Sequence, residues 1–250
     1  MSTDLAVVDT ENYLALQDGG EIADAMAANL GEGAAFRESD LTRIPIPTGG
    51  ATTWIVPSIT GDRAEKSIDG ILVYQGPRGL LWAGGEPEEG SLPLLVSHDL
   101  KTARLIVTEN LDPKLLERIE PAKVGPGTYD WTKLPQNEWG SGKNGSGTAC
   151  KEQRVLYILT REEPLPVVVT VQPGSLKGWQ QFIMALTKAA IPFYRAVVSL
   201  TLERATAAGG QPYAQVVPKL IGTLDKEQGE VIRAKFTEPM KAVAASAFAN

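Results

Sequence analysis

Cysteine and histidine are nearly missing from this chain of 250 residues, which contains one of each. Cys150 alone cannot form an internal disulfide, so secretion into an oxidising compartment is not indicated. One cysteine and one histidine cannot supply the ligands of a usual zinc site, and we predict no metal and no cofactor. His98 lies in Ser97-His98-Asp99, but neighbouring residues of a strand point to opposite faces. The tripeptide is therefore not a Ser-His-Asp triad, and a solvent-facing turn is expected.

Long apolar runs are missing as well. No stretch approaches the roughly 20 residues of a transmembrane helix, so no membrane partner is expected. The first residues have neither a basic n-region nor an apolar h-region, which predicts that no signal peptide is present. Hydrophobic residues make up 43% of the chain and charged residues 22%, as in ordinary soluble proteins. These features predict a soluble, cytoplasmic protein.

Positive charge is concentrated in one part of this acidic chain, whose net charge is −6. Residues 1–130 hold 10 Lys or Arg against 21 Asp or Glu, a net of −11. Residues 131–204 hold 9 against 5, a net of +4, and residues 205–250 hold 5 against 4, a net of +1. Such a segment within an acidic protein is typical of a binding protein with an anionic ligand.

The basic segment begins with a glycine-rich loop, Gly140–Thr148, that leads directly into a strand-like run from Lys151. The loop is not a nucleotide P-loop, because Lys143 is followed by Asn144, Asn137 occupies the first glycine position, and a strand follows instead of a helix. Exposed backbone N–H groups and Lys143 suit contact with phosphate. A flexible connector is an equally good interpretation of the same residues.

Many short strands with helices at both ends predict a mainly β chain of the α+β class. We expect an OB-like, partly open barrel with N- and C-terminal helices, and an unspecified α+β domain is the alternative. The predicted parts are an N-terminal helical segment (1–40), the barrel (41–225) and a C-terminal helix (226–250). A turn at Gly76-Pro77-Arg78-Gly79 would make a hairpin of residues 68–82, and Ser175 and Asp225 are predicted helix N-caps. Strands are predicted at 43–47, 52–56, 68–74, 80–82, 93–96, 103–107, 151–160, 165–171, 196–203 and 213–224. Helices are predicted at 113–119, 176–189 and 226–245, and residues 11–30 are expected to form one helix or two short ones, with Gly19-Gly20 as the break and Gly31 as the stop.

A positive groove with aromatic platforms for the bases is how proteins hold single-stranded nucleic acids. Residues of both kinds lie on or beside the predicted strands and the glycine-rich loop. Tryptophans in strands are also typical core residues, so Trp54 and Trp82 have a second interpretation. The candidate binding residues are Trp54, Tyr74, Trp82, Trp139 and Tyr157 for stacking, and Arg43, Arg78, Lys143, Lys151 and Arg154 for phosphates.

Side chains alternate between the two faces of the strand that begins at Lys151. The odd-numbered row carries Lys151 and Tyr157 and is the expected ligand face. The even-numbered row ends in Leu156 and Ile158 and is expected to face the core. Arg154, near the start of the strand, would lie at the barrel rim within reach of a phosphate.

Three segments resemble proteins of tailed bacteriophages and integrative elements, some of which are similar to phage single-stranded DNA-binding proteins with an OB fold. The first segment is Asn137-Glu-Trp-Gly-Ser-Gly-Lys-Asn-Gly-Ser-Gly-Thr-Ala-Cys-Lys-Glu-Gln-Arg-Val-Leu-Tyr-Ile-Leu, followed by 165–177 and 192–199. The resemblance covers about residues 40–225. Members often carry Cys-x-x-Cys-Pro before the asparagine, whereas this chain has Trp131 and Leu134 there, followed by Pro135. A metal site built from those cysteines would be absent here.

The resemblance implies a role in DNA replication or recombination in the host cytoplasm. Together these features predict a non-enzymatic, single-stranded DNA-binding protein of phage or mobile-element origin. Its expected partners are single-stranded DNA and replication or recombination proteins, with a homo-oligomer left open. The alternatives are a structural or protein–protein interaction phage protein without nucleic-acid binding, and a nuclease that binds metal through carboxylates alone.

Overall fold

The chain forms two compact units in the computed structural model. The first unit contains Met1–Gln75 and Val155–Ala247, and the second contains Gly76–Arg154. The structure describes residues 8, 10, 12–17, 20–31, 37–85, 91–107, 113–142, 145, 147–207 and 209–246. The domain boundaries predicted from the sequence, at residues 40 and 225, stay a prediction.

Helices and strands are both well represented, and the strands belong to a large, mostly antiparallel sheet. The helices are α1 (Leu14–Gln17), α2 (Glu21–Leu30), α3 (Pro113–Ile119), α4 (Pro173–Lys188), α5 (Lys226–Ile232) and α6 (Glu238–Ser246), with a π-helical turn, Arg233–Thr237, between the last two. The strands are β1 (Arg43–Ile44), β2 (Trp54–Val56), β3 (Arg63–Glu65), β4 (Ser67–Leu81), β5 (Leu95–Ser97), β6 (Thr102–Leu105), β7 (Lys123–Gly125), β8 (Thr128–Asp130), β9 (Lys151–Leu159), β10 (Val167–Val171), β11 (Ala196–Thr206) and β12 (Pro212–Thr223).

In the first unit the strand order is β1-β10-β9-β4-β11-β12. β1 pairs with β10 in parallel, whereas β4 with β11 and β11 with β12 pair antiparallel. β2 and β3 form a separate antiparallel pair. The chain passes between the units within β4 and within β9, so each of these strands has residues in both.

Both faces of this sheet are covered. One face packs against α4 through Leu156, Ile158 and Trp179. The other packs against the N-terminal residues and the C-terminal helices through Tyr157 and Ile232, among others. The β9 side chains on both faces of the sheet are buried from Val155 onward. The first unit is therefore a sheet between two helical layers, and not a sheet with one face open to solvent.

The second unit has its own core and its own strand order, which runs from the end of β4 through β5, β6 and β8 to β7. The unit also contains α3 and the 3-10 turns Glu120–Ala122, Trp131–Lys133 and Pro135–Asn137. Its core is a cluster of apolar side chains that includes Leu81, Leu95, Ala103, Ile119, Tyr129, Trp131, Leu134 and Cys150.

The predicted hairpin over 68–82 is wrong, because Ser67–Leu81 is one continuous strand. Two of its glycines, Gly70 and Gly79, allow close packing instead of forming a turn. A Cβ at Gly79 would lie 2.5 Å from the ring of Trp131, and one at Gly70 would lie 2.4 Å from the carbonyl oxygen of Leu159. Glycine within a strand marks such close approaches.

The ends of several elements agree with the sequence. Gly31 ends α2 as predicted, and the π turn lies within the predicted C-terminal helix. Asp225 caps that helix: its Oδ1 accepts from the N–H of Gln228 at 2.7 Å, and Gln228 Oε1 accepts from the N–H of Asp225. The predicted cap at Ser175 is wrong, because α4 begins at Pro173 and Ser175 is buried, accepting a hydrogen bond from the N–H of Val216.

The predicted α+β class is therefore confirmed, with helices near both ends of the chain. Among the described residues the strands do not close into a barrel. None of the described helices has both the length and the apolar character needed to cross a membrane.

Candidate functional site

The described part of the glycine-rich loop folds back on itself. The N–H groups of Gly140 and Gly142 both donate to the carbonyl oxygen of Gly147, at 2.7 and 3.2 Å. Gly140 and Gly147 have φ angles of +92° and +67°, which side chains other than glycine rarely adopt. The glycines therefore fix a compact turn here, and Lys143, the lysine predicted to bind phosphate, lies outside the described residues.

Hydrogen bonds anchor this loop to the 3-10 turn Pro135–Asn137. The carbonyl oxygen of Gln136 accepts from Ser141 Oγ at 2.7 Å and from the N–H of Cys150 at 3.0 Å. Ser141 Oγ in turn accepts from the N–H of Ala149 at 3.0 Å. Both ends of the loop are thus held against one residue, Gln136.

Beside this anchor lies a cavity of about 170 Å³ within the second unit. Its wall contains Trp82, which is half-exposed, Arg118, which is exposed, and Gln136, which is buried. The other lining residues are mostly small or apolar. Such a mixture of an aromatic ring, a few polar groups and apolar surface is common in ligand sites. The lining residues are Leu81, Trp82, Ala83, Gly84, Gly85, Leu115, Arg118, Gln136, Ser141, Gly142 and Ala149.

Trp139 leads into the glycine-rich loop and is the most exposed aromatic side chain among the described residues, with 84% of its surface accessible. A tryptophan this exposed has little role in stabilising its own domain. It does offer a flat apolar surface to a partner.

The second unit is nearly neutral, but several of its cations have no acidic partner among the described residues. Residues 76–154 hold ten Lys or Arg and eleven Asp or Glu, a net of −1. Lys101, Arg104, Arg118 and Arg154 form no ion pair with any other described residue, so their charges are available to an anion.

Two predicted binding residues of the first unit belong to its core. Trp54 is fully buried and donates through Nε1 to the carbonyl oxygen of Leu200 at 2.9 Å. Tyr157 is also fully buried. Their rings have no face to offer a base, and the expected ligand face of β9 is wrong because the terminal helices cover it.

The other two predicted binding residues of the first unit contact Tyr157 or its hydrogen-bond partner Glu38. Tyr74 is half-buried, with its ring centroid 5.6 Å from that of Tyr157. Arg43 is exposed, but its Nη2 donates to Glu38 Oε1 at 2.7 Å. A structural role accounts for both.

In the second unit, the predicted residues fall into two groups. Arg78 is buried, with 2% of its surface accessible, because it lies inside β4 instead of in a turn. Trp82, Trp139, Lys151 and Arg154 are at least partly exposed. Lys151 Nζ donates to the carbonyl oxygen of Thr148 at 2.6 Å, so it also helps to fix the end of the loop.

Sequence reasoning missed Arg118 and Gln136. The helix that carries Arg118 is predicted, but its basic residue resembles any solvated charge. Nothing in the sequence distinguishes Gln136 from other polar loop residues. Only the folding of residues 113–119 and 135–142 around Trp82 shows that both line one cavity.

Ser97 is the last residue of β5, and His98 and Asp99 lie in the bend that follows it. Asp99 Oδ1 accepts from Ser97 Oγ at 3.1 Å and from the N–H groups of Lys101 and Thr102, both at 2.8 Å. Burial by itself would raise the pKa of Asp99, but the hydrogen bonds from these donors outweigh it and lower the pKa. The carboxylate therefore stabilises the turn that follows β5.

A larger cavity, about 290 Å³, lies in the first unit. Its charged lining comprises Arg63 and Arg161 against Glu65, Asp69, Glu162 and Glu163. Arg161 lies over the ring of Tyr13, 5.8 Å from its centroid, and burial raises the pKa of Tyr13. With twice as many carboxylates as guanidinium groups, this cavity suits a phosphate poorly.

Among the described residues, no group of three or more His, Cys, Asp or Glu side chains is arranged to hold a metal ion. No protein-family model, curated protein or solved structure matches this chain.

Proposed function

We propose that this chain binds single-stranded DNA without catalysing a reaction on it, and that the second unit carries the interface. Trp139 and Trp82 would provide stacking surfaces. Arg118, Lys151 and Arg154 would contact phosphates, with Lys101 and Arg104 as further cations that have no ion-pair partner among the described residues. The resemblance to phage and integrative-element proteins supports a role in the replication or recombination of such an element.

The observation that carries the proposal is the 84% exposure of Trp139 next to a glycine loop in a unit with unpaired cations. Exposed aromatic rings beside positive charges form the usual site for single strands, because every base has a face that stacks. Binding through the second unit does not require the OB-like, partly open barrel that the sequence predicts, and that barrel stays a prediction.

A structural or protein–protein interaction role is the second candidate. Val124 and Leu92 of the second unit are exposed along with Trp139, at 63% and 58%. Exposed aromatic and aliphatic residues are also typical of protein interfaces. In that case Trp139 would contact a protein instead of a base.

Replacement of Trp139 by alanine separates the two candidates. We expect Trp139→Ala to weaken binding of a fluorescent oligo-dT by roughly 1–3 kcal/mol, the usual contribution of a stacked base. The melting temperature should stay unchanged, because the side chain is exposed. Ile59→Ala, which truncates a fully exposed residue of the first unit, is the control and should bind normally.

If wild-type protein shows no affinity for the oligonucleotide at low salt, the protein-interaction role is favoured. The same titration in the presence of magnesium tests the nuclease alternative. Cleavage of the oligonucleotide that depends on magnesium would contradict a non-catalytic function.

A further inference from the structure

Gln136 lines the cavity of the second unit, and among the described residues its side chain has no hydrogen-bond partner. Only 2% of the residue is accessible, and neither Nε2 nor Oε1 has a partner among the described residues. Burial of an amide in this state is unfavourable and uncommon in folded proteins. A buried, unpaired carboxamide on a residue that lines a cavity is a candidate for hydrogen bonding to a ligand.

Hydrogen bonds hold the main chain around Gln136 in place. Its carbonyl oxygen accepts the two hydrogen bonds from Ser141 and Cys150 described above. The neighbouring Asn137 donates from Nδ2 to the carbonyl oxygen of Trp131. A ligand that bonds to the amide therefore does not have to order this segment.

The chemistry of the cavity matches one unpaired nucleobase. A carboxamide presents a donor and an acceptor side by side, and each of the four bases has such a complementary pair on its edge. Trp82, in the same wall, has a ring on which a base would stack, and Arg118 would meet the adjoining phosphate. A volume of about 170 Å³ is smaller than the roughly 300–1,000 Å³ of drug-sized sites, and suits a single ring system.

We propose that this cavity binds one nucleobase turned out of the single strand, with the edge of the base hydrogen-bonded to the carboxamide of Gln136. This inference rests on the proposed binding of single-stranded DNA. An isolated phosphate would leave the acceptor Oε1 unused, so the cavity is a base subsite within a surface that otherwise contacts the backbone.

Gln136→Leu tests the subsite, because leucine is of similar size and removes both polar atoms. We expect its affinity for labelled oligo-dT, oligo-dA and oligo-dC to fall roughly 5- to 150-fold, the equivalent of one bidentate base contact. The salt dependence should not change, since every phosphate contact remains. The melting temperature should be equal or higher, because an unsatisfied buried amide is removed. Gln181→Leu, at an exposed position on α4, is the matched control and should bind normally.

A second measurement uses an oligonucleotide of the same length in which most positions are abasic. This strand keeps the phosphates but has few bases. It should bind more weakly than oligo-dT to the wild-type protein, and equally to wild type and Gln136→Leu. If Gln136→Leu binds all three homopolymers like wild type, or if the abasic strand binds wild type as well as oligo-dT does, the base subsite is wrong while DNA binding stands. If no oligonucleotide binds at low salt, both proposals are wrong.

Discussion

The hydroxyl of Tyr157 donates a hydrogen bond to Glu38 Oε2 at 2.6 Å, and the two residues are almost fully buried. The other carboxylate oxygen of Glu38 accepts from Arg43 at 2.7 Å. A buried carboxylate is tolerated only when paired and hydrogen-bonded. This cluster therefore ties β9 to the 3-10 turn Glu38–Asp40 and to β1, and it places two sequence-predicted DNA contacts in a structural network.

Tyr157→Phe should lower the free energy of unfolding by about 1–3 kcal/mol, because it removes a hydrogen bond to a buried carboxylate. Tyr194→Phe is a suitable control, since its hydroxyl has no hydrogen-bond partner among the described residues and its removal should be nearly neutral. Denaturation in urea measures both. DNA affinity should not change in either variant, and a loss of affinity without a loss of stability in Tyr157→Phe would restore Tyr157 as a contact.

Gly79→Ala should destabilise the protein by roughly 1–3 kcal/mol, as overpacking does. The added Cβ would lie 2.5 Å from the ring of Trp131, which cannot move without disturbing the core of the second unit. Gly178→Ala is the matched control. Its Cβ meets nothing within 4 Å on α4, and alanine should stabilise the helix by about 0.5–1 kcal/mol. Opposite shifts in thermal unfolding are expected, and a neutral Gly79→Ala would show that β4 is not packed this way.

Much of the secondary structure follows from the sequence because its signals are local. The capping box at Asp225, the stop at Gly31 and the glycine-rich turn before β9 depend on residues a few positions apart. The turn predicted at Gly76–Gly79 fails because the reason for Gly79 is Trp131, a residue distant in sequence. Tyr157 fails in the same way, since alternation along β9 cannot reveal that helices at both ends of the chain cover that face.

Cys150 should be unreactive in the folded protein. Burial, and to a smaller degree the charge of Glu152, raises the pKa of its thiol to about 12. Since the thiolate is the reactive form, a disulfide reagent at pH 8 should label Cys150 slowly until a denaturant exposes it. Rapid labelling of native protein would contradict the burial of Cys150.

The raised pKa of Cys150 also makes the stability of the folded protein depend on pH. The direction follows from which state, folded or unfolded, loses the thiol proton first. The unfolded thiol, with a pKa near 9, loses its proton before the folded thiol does. The contribution of Cys150 to stability is therefore complete below pH 9 and declines as the pH rises towards 12. Cys150→Ala should lessen the fall in stability over this range, which urea denaturation at several alkaline pH values would measure.

Arg118→Ala, Lys151→Ala and Arg154→Ala should each weaken binding of single-stranded DNA and make it less sensitive to salt. Removal of one phosphate contact should reduce the slope of log K against log salt by about 0.7. Lys219→Ala, at an exposed position on β12 in the first unit, is the control and should leave the slope unchanged. Equal effects of all four variants would indicate non-specific attraction instead of an interface on the second unit.

The salt dependence of binding to wild-type protein tests the central claim most directly. A labelled oligo-dT of about 30 nucleotides, longer than the roughly 4–16 nucleotides that one OB-sized site covers, is titrated by fluorescence anisotropy between about 50 and 200 mM salt. Binding through phosphates predicts measurable affinity at low salt and a steep, linear fall of log K with log salt. No binding at the lowest salt, or an affinity that salt does not change, would contradict the proposal that this protein binds single-stranded DNA.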